Sequence, residues 1–339
     1  MGVYIIAEAG VNHNGDLNLA KDMVKEAKRA GCDCIKFQTY HTENLVTSDA
    51  PKAEYQVQNT GNGKSQYDML KNLELTPENF YELSLICQKE EIDFMSTPFD
   101  LDSVDVLSHL LVKAYKVSSG DLTNKMLLEY IALKDRPIIL STGMATIEEI
   151  KEAVAWIENK GNKKISLLHC TSNYPAPFRD VNMKAMVTMA EQFPYPVGYS
   201  DHTKGIEISI MAVAMGAQII EKHFTLSREL KGPDHKASLE PDEMKDLVNA
   251  IRNVEIAFGD GIKTLSDSEI NTREVARKSL VTAGDFCQGY ILKEGDLLVK
   301  RPGTGTAPKF VEDFIGKKLK SNLPKDYLIT KDDIICTEK

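Results

Sequence analysis

No two of the six cysteines form a Cys-x-x-Cys pair, and none stands at the Cys/His spacing of a structural zinc site. Cys32, Cys34, Cys87, Cys170, Cys287 and Cys336 are scattered, so neither a disulfide framework nor a zinc module is expected, and a reducing cytoplasm suits them. Long apolar runs are missing as well. The opening stretch MGVYIIAEAG is broken by Glu8, which fits neither a signal-peptide core nor a membrane span. It also lacks the Ser or Thr that a myristoylation signal carries at its sixth position. Positive charge is short: 41 Lys and Arg face 50 Asp and Glu, a formal net charge of -9. Nucleic acid and anionic membrane surfaces are therefore repelled, and a small anionic ligand needs a locally positive pocket. The GNGKS stretch at 61–65 looks like the end of a phosphate loop, but the first glycine of that motif would fall on Gln58 and no strand-like run precedes it. A nucleotide-hydrolysing reading is rejected.

What is present is a repeating alternation. Apolar residues make up 42% of 339, enough for a large core. Short β-rich runs occur at 3–10, 34–40, 93–99, 114–121, 137–144, 165–175, 196–202 and 218–225. Between them lie segments with helix-spaced apolar residues, such as TIEEIKEAVAWIENKG, opened by Thr146 as an N-cap and closed by Gly161. Eight such units without a Gly-rich fingerprint predict a (β/α)8 TIM barrel over 1–262, with an open doubly wound sheet as the competitor. Residues 263–278 are polar and read as a linker that can be helical; 279–339 read as a small β-rich domain. That tail repeats itself, GYILKEGDLL (289–298) lining up with DYLITKDDII (326–335).

The C-terminal strand ends form the active face of such a barrel. Here they carry Glu8, Lys36, Gln38, Thr97, Lys116, Ser119, Asp121, Ser141, His169, Thr171, His202 and His223. A ring of polar groups where burial is costly reads as a site. His202 and His223 end neighbouring strands, and two neutral imidazoles with open positions suit a divalent Lewis acid, against the plainer reading of two hydrogen-bonded core histidines. Lys36 and Lys116, among the hydroxyls of Ser119 and Ser141, favour an anion clamp over a Schiff base. Glu8 and Asp121 can act as general acid or base, or simply neutralise the lysines. The long segment between the second and third runs is expected to cover the substrate.

The motifs AEAGVNHNGD, IKFQTY, STPFD, YKVSSGD, ILSTGM, LLHCTSNYP, GYSDHT, EKHFT, KGPDHKASLEP and KRPGTG, in this order, resemble the sialic acid synthase family over nearly the whole chain. The resemblance implies a TIM barrel followed by an antifreeze-like (SAF) domain, working as a domain-swapped homodimer. It implies condensation of phosphoenolpyruvate with an N-acetylmannosamine-type sugar to a nine-carbon 2-keto acid such as N-acetylneuraminate, with release of phosphate. His202 and His223 would hold Mn2+ or Mg2+, with no organic cofactor. Lys36, Thr97, Lys116, Ser119 and Ser141 would hold phosphoenolpyruvate, and Glu8 and Asp121 would serve the aldehyde and the attacking water. Tyr174, Ser172, Asp234 and Arg301 would face the sugar, Arg301 from the partner's tail. Ser172 stands where one branch of the family has Asn, and the segment ENLVT through SQYDMLKNLEL is more similar to synthases that take 2,4-diacetamido-2,4,6-trideoxymannose, so N,N'-diacetyllegionaminate is the alternative product. Two other classes compete: a metal-dependent aldolase or lyase on the same barrel, and a non-catalytic carbohydrate- or ice-binding protein. The second would want regularly spaced threonines in the tail, and Thr282, Thr304, Thr306, Thr330 and Thr337 show no such spacing.

Overall fold

The computed structural model describes residues 2–61 and 65–335. Asn62, Gly63 and Lys64 of the GNGKS stretch, Cys336 and Thr337 lie outside them. The chain divides into two compact units between Gly259 and Asp260.

Each of the eight β-rich runs forms a strand: β1 (Tyr4–Gly10), β2 (Cys34–Thr39), β3 (Asp93–Pro98), β4 (Tyr115–Val117), β5 (Ile138–Ser141), β6 (Ile165–Cys170), β7 (Val197–Asp201) and β8 (Ile219–His223). They pair in parallel in the order β3-β2-β1-β8-β7-β6-β5-β4, and β3 and β4 lie side by side to close the cylinder. The helices are α1 (Leu17–Ala30), α2 (Thr42–Leu45), α3 (Glu54–Thr60), α4 (Gln66–Leu73), α5 (Pro77–Lys89), α6 (Leu101–His109), α7 (Lys125–Ala132), α8 (Ile147–Asn159), α9 (Lys184–Gln192), α10 (Glu207–Ala214) and α11 (Pro241–Ala257). Several boundaries follow from local chemistry. Asp16 accepts from the Asn18 and Leu19 N–H groups to start α1, Gly31 at φ 90° ends it, and Thr146 with Glu149 makes a capping box on α8. The long segment after β2 is not a loop but carries α2, α3 and α4, with Ser65 capping α4.

Period-two alternation sorts each strand into two faces. Ile5, Ala7, Ile35, Phe37, Leu140, Leu167, Tyr199 and Ile220 pack outward under the helices. Inside, Ile6, Cys34, Met95, Ala114, Ile139, Leu168 and Ile219 form a closed apolar layer. The remaining strand contributes Gly198, where a Cβ would collide with the Ile219 carbonyl oxygen and the side chains of Ile219 and Leu168. Two residues further along every strand the interior changes character, to Glu8, Lys36, Thr97, Lys116, Ser141, Cys170, Ser200 and Glu221. The apolar layer is the base on which a polar site rests.

In the second unit, α12 (Ile270–Ala276) precedes β9 (Ser279–Thr282), β10 (Leu297–Lys300), β11 (Lys318–Leu319) and β12 (Ile334–Ile335). The sequence repeat is a structural one. Leu292 and Ile329 occupy equivalent buried positions in its core. In each copy an aspartate caps the turn, Asp296 accepting from the Lys293 N–H at 2.7 Å and Asp333 from the Thr330 N–H at 2.8 Å.

Candidate active site

The polar layer opens into a cavity of about 140 Å³ at the C-terminal strand ends. On its floor the Lys36 ammonium lies 2.7 Å from Glu8 and 3.7 Å from Glu221, and that of Lys116 lies 3.5 Å from Glu221. Lys36 donates to Thr97 Oγ1 at 3.2 Å and Lys116 to Ser141 Oγ at 2.6 Å. All four charged side chains are almost wholly buried, so each depends on the others. Burial alone would push the Glu221 carboxyl up, but Lys116 and Lys36 pull it down to about 2. Glu8 goes the other way: burial outweighs Lys36 and raises it. Burial lowers Lys116 despite Glu221, whereas Glu221 and Glu8 overcome burial and raise Lys36. The floor thus holds one carboxylate pulled down by the lysines, Glu221, and one pushed up by burial, Glu8.

Beside the floor stand the two histidines, ring centroids 5.5 Å apart. His202 Nδ1 lies 2.7 Å from the Thr171 carbonyl, which can only accept; the proton is therefore on Nδ1, and Nε2 is left as an acceptor, 3.4 Å from the Ser200 hydroxyl. Among the described residues, buried His223 Nδ1 has no hydrogen-bond partner. Burial lowers His202 to about 4, and burial with His202 lowers His223 well below its ordinary value, so both rings are neutral near pH 7. Two neutral imidazoles at this separation fit a divalent ion. Among the described residues no group of three or more His, Cys, Asp or Glu is placed to hold a metal ion. Tyr174 covers the pair, 4.3 Å from the His202 ring, and is itself covered by Tyr55 of α3 at 5.1 Å. Beyond the strand ends, Val11, Met69, Leu70, Leu73 and Phe99 make an apolar roof.

Comparison with known proteins identifies the family of the chain. The NeuB family model matches residues 23–263, and the SAF domain model matches 277–335. The chain belongs to the NeuB family. It is 50% identical to an N,N'-diacetyllegionaminic acid synthase of Campylobacter jejuni, over 96% of this chain and 98% of that one. A protein of the same name from Legionella pneumophila is 48% identical, over 95% and 92%. Among solved structures, the N-acetylneuraminic acid (sialic acid) synthetase of Leptospira borgpetersenii, in complex with citrate, superposes with a TM-score of 0.71 at 39% identity, covering 80% of this chain and 90% of that one.

In this NeuB-family barrel most of the residues singled out from the sequence converge. Glu8, Lys36, Thr97, Lys116, Ser119, Ser141, Tyr174, His202, His223 and Asp234 all line the one cavity. Burial, then Glu8, raises the Asp234 carboxyl to about 7. Asp121 does not line it: its carboxylate accepts from Ser118 Oγ at 2.6 Å and Asn124 Nδ2 at 3.2 Å, in the turn after β4. Ser172 lies beside Gly143, whose missing Cβ leaves room for the Ser172 and Ser119 hydroxyls and for the Gly143 N–H to donate to Ser119 Oγ at 3.0 Å. Arg301 belongs to the second unit, exposed, its Nε donating to the Ala276 carbonyl at 3.1 Å. His169 points outward, its Nε2 2.7 Å from the Val181 carbonyl. The expected locally positive pocket is instead a balanced one, because Glu8 and Glu221 offset the two lysines. Glu221 is the main residue that sequence reasoning passed over, although counting two back from His223 along β8 puts it on the inner face. By the same count Lys222 faces out, and there it pairs with Asp201 at 3.0 Å. The roof residues were also missed; the Ser65 cap before an apolar face at Met69, Leu70 and Leu73 was the available signal. Among the described residues no helix is long and apolar enough to cross a membrane.

Proposed function

We propose that this chain condenses phosphoenolpyruvate with an open-chain N-acylated amino sugar, releasing inorganic phosphate and forming a nine-carbon 2-keto acid. The observation that carries the reading is the buried Lys36/Lys116 pair, with its hydroxyl partners, directly beside the His202/His223 pair: an anion cradle next to an electrophile site. Lys116, Ser119, Ser141, Lys36 and Thr97 bind the donor's phosphate and carboxylate. A divalent ion such as Mn2+ or Mg2+ held by His202 and His223 would act as a Lewis acid on the sugar aldehyde. The donor's C3 forms a bond to the aldehyde carbon, leaving cationic C2. Water adds there, and the C2–O bond to phosphate breaks. One proton from that water reaches the new alkoxide oxygen, and the other leaves with phosphate. Glu8, raised by burial, is placed to deliver or accept such a proton. Glu221 stays ionised and holds both ammonium groups in position.

For the sugar, the two relatives near half identity support 2,4-diacetamido-2,4,6-trideoxymannose over N-acetylmannosamine, so the expected order of products is reversed in favour of N,N'-diacetyllegionaminate. We further propose that Arg301 contributes to the sugar site within a domain-swapped homodimer. Incubation with phosphoenolpyruvate, manganese and each sugar in turn, reading phosphate release and product mass, tests the reaction. A condensation product with phosphate is expected; pyruvate released from a keto acid, with no use of phosphoenolpyruvate, would make this an aldolase instead.

A further inference from the structure

The cavity has a chemically mixed lining. Its floor and the histidine pair carry charged and hydroxyl groups, Tyr55, Gln56 and Asp234 add polar groups, and α4 brings Met69, Leu70 and Leu73 to the lining from one helix face. With Val11, Tyr40 and partly buried Phe99 these residues form a small apolar cluster of their own, separate from the barrel core and from the core under the helices. Met69, Leu70 and Leu73 are 7%, 9% and 7% exposed. Such a cluster need not face a polar substrate site, and a site for a polyhydroxylated ligand ordinarily meets hydroxyls with donors and acceptors.

Resting on the condensation reading above, we propose that Val11, Met69, Leu70, Leu73 and Phe99 determine sugar specificity by selecting a deoxygenated distal end. A sugar whose C1 aldehyde lies at His202 and His223 shares the polar floor with the donor anion. Its far carbons are left facing the roof. A C6 methyl there buries apolar area against Leu and Met, whereas a C6 hydroxyl would be taken from water with no partner among these five side chains. A C6 phosphate would be excluded more strongly, since none of the five offers a counter-charge. The class selected is therefore the 6-deoxy, N-acylated amino sugars.

The test compares N-acetylmannosamine with its 6-deoxy analogue, which differ only at C6, in phosphate release and in calorimetric binding with phosphoenolpyruvate present. The wild-type chain should favour the 6-deoxy sugar in kcat/KM by about 10- to 200-fold, the range of one small group in an apolar pocket. Met69→Gln should cut that ratio at least about five-fold on the same scale. Val11→Thr, of unchanged shape, should lower it in the same direction and serves should the glutamine variant fail to fold. A wild-type ratio near one, or variants that weaken both sugars equally, would overturn the roof's role. Preferential binding of the 6-deoxy sugar without any phosphate release would leave the roof standing and sink the condensation reading.

Discussion

Replacing Glu221 by Gln removes the one carboxylate that sits between two buried ammonium groups, at 3.5 Å from Lys116 and 3.7 Å from Lys36, while keeping the side chain's shape. At an effective dielectric constant of about 20, each pair is worth about 4–5 kcal/mol of attraction. Part is regained because Glu221 no longer has to be desolvated, and the remainder is capped because Lys116, already lowered by burial, can give up its proton. The net cost expected for breaking such a buried cluster is about 3–5 kcal/mol. In a barrel of this size that corresponds to a drop in Tm of roughly 6–20 °C. Phosphoenolpyruvate brings its own negative charge to the same place, so saturating ligand should raise the variant's Tm by more than it raises the wild type's. Scanning calorimetry with and without the ligand reads both quantities. A variant melting within about 2 °C of wild type, or an equal ligand shift in the two proteins, would refute the view that Glu221 is the resident counter-ion of the donor site.

His202→Ala and His223→Ala should each abolish phosphate release from phosphoenolpyruvate, with no recovery on adding manganese; near-normal turnover would remove the electrophile role. Mixing inactive His202→Ala chains with Arg301→Ala chains should restore part of the activity if sites are shared between copies, and mixtures as inactive as either parent would count against sharing. Gly198→Ala places a Cβ against the Ile219 carbonyl inside the barrel, and a loss of about 1–3 kcal/mol is expected in denaturant titration. His13, 1% exposed, is lowered by burial from 6.5 to about 4, so the unfolded chain binds its proton more readily. Its contribution to stability is complete above pH 6.5 and is lost as pH falls towards 4, by about 3 kcal/mol. The pH dependence of urea unfolding should flatten over that window in His13→Asn, and an unchanged slope would exclude His13 as its source.

The barrel was legible because its cause is local. A parallel strand buried on both faces must be a short apolar run, and the crossover between two such strands must be a helix, so eight alternations leave little choice of architecture. The site's lower half was legible for a related reason: Glu8, Lys36, Lys116, His202 and His223 are polar residues at the ends of runs that otherwise avoid polarity. Asp121 satisfied the same rule, yet the chain has already left β4 at Val117 and turned aside into a short helical turn, so its carboxylate is spent on Ser118 and Asn124. A strand's end is a tertiary fact, fixed by where pairing with its neighbour stops.

What the sequence determined unaided is periodicity: which positions alternate, where helices are capped, that the tail is a duplicated turn-rich unit, and that two imidazoles end consecutive strands. What only the tertiary structure decided is partnership. Whether Lys36 and Lys116 present free positive charge depends on the inward carboxylates of Glu8 and Glu221, which come from strands 1 and 8, distant in the chain and adjacent only once the cylinder closes. The apolar face of α4 likewise gains its meaning from what lies across from it. Propensity and pattern act over a few residues, whereas electrostatic balance and the chemical contrast between floor and roof are set by distances that exist only after folding.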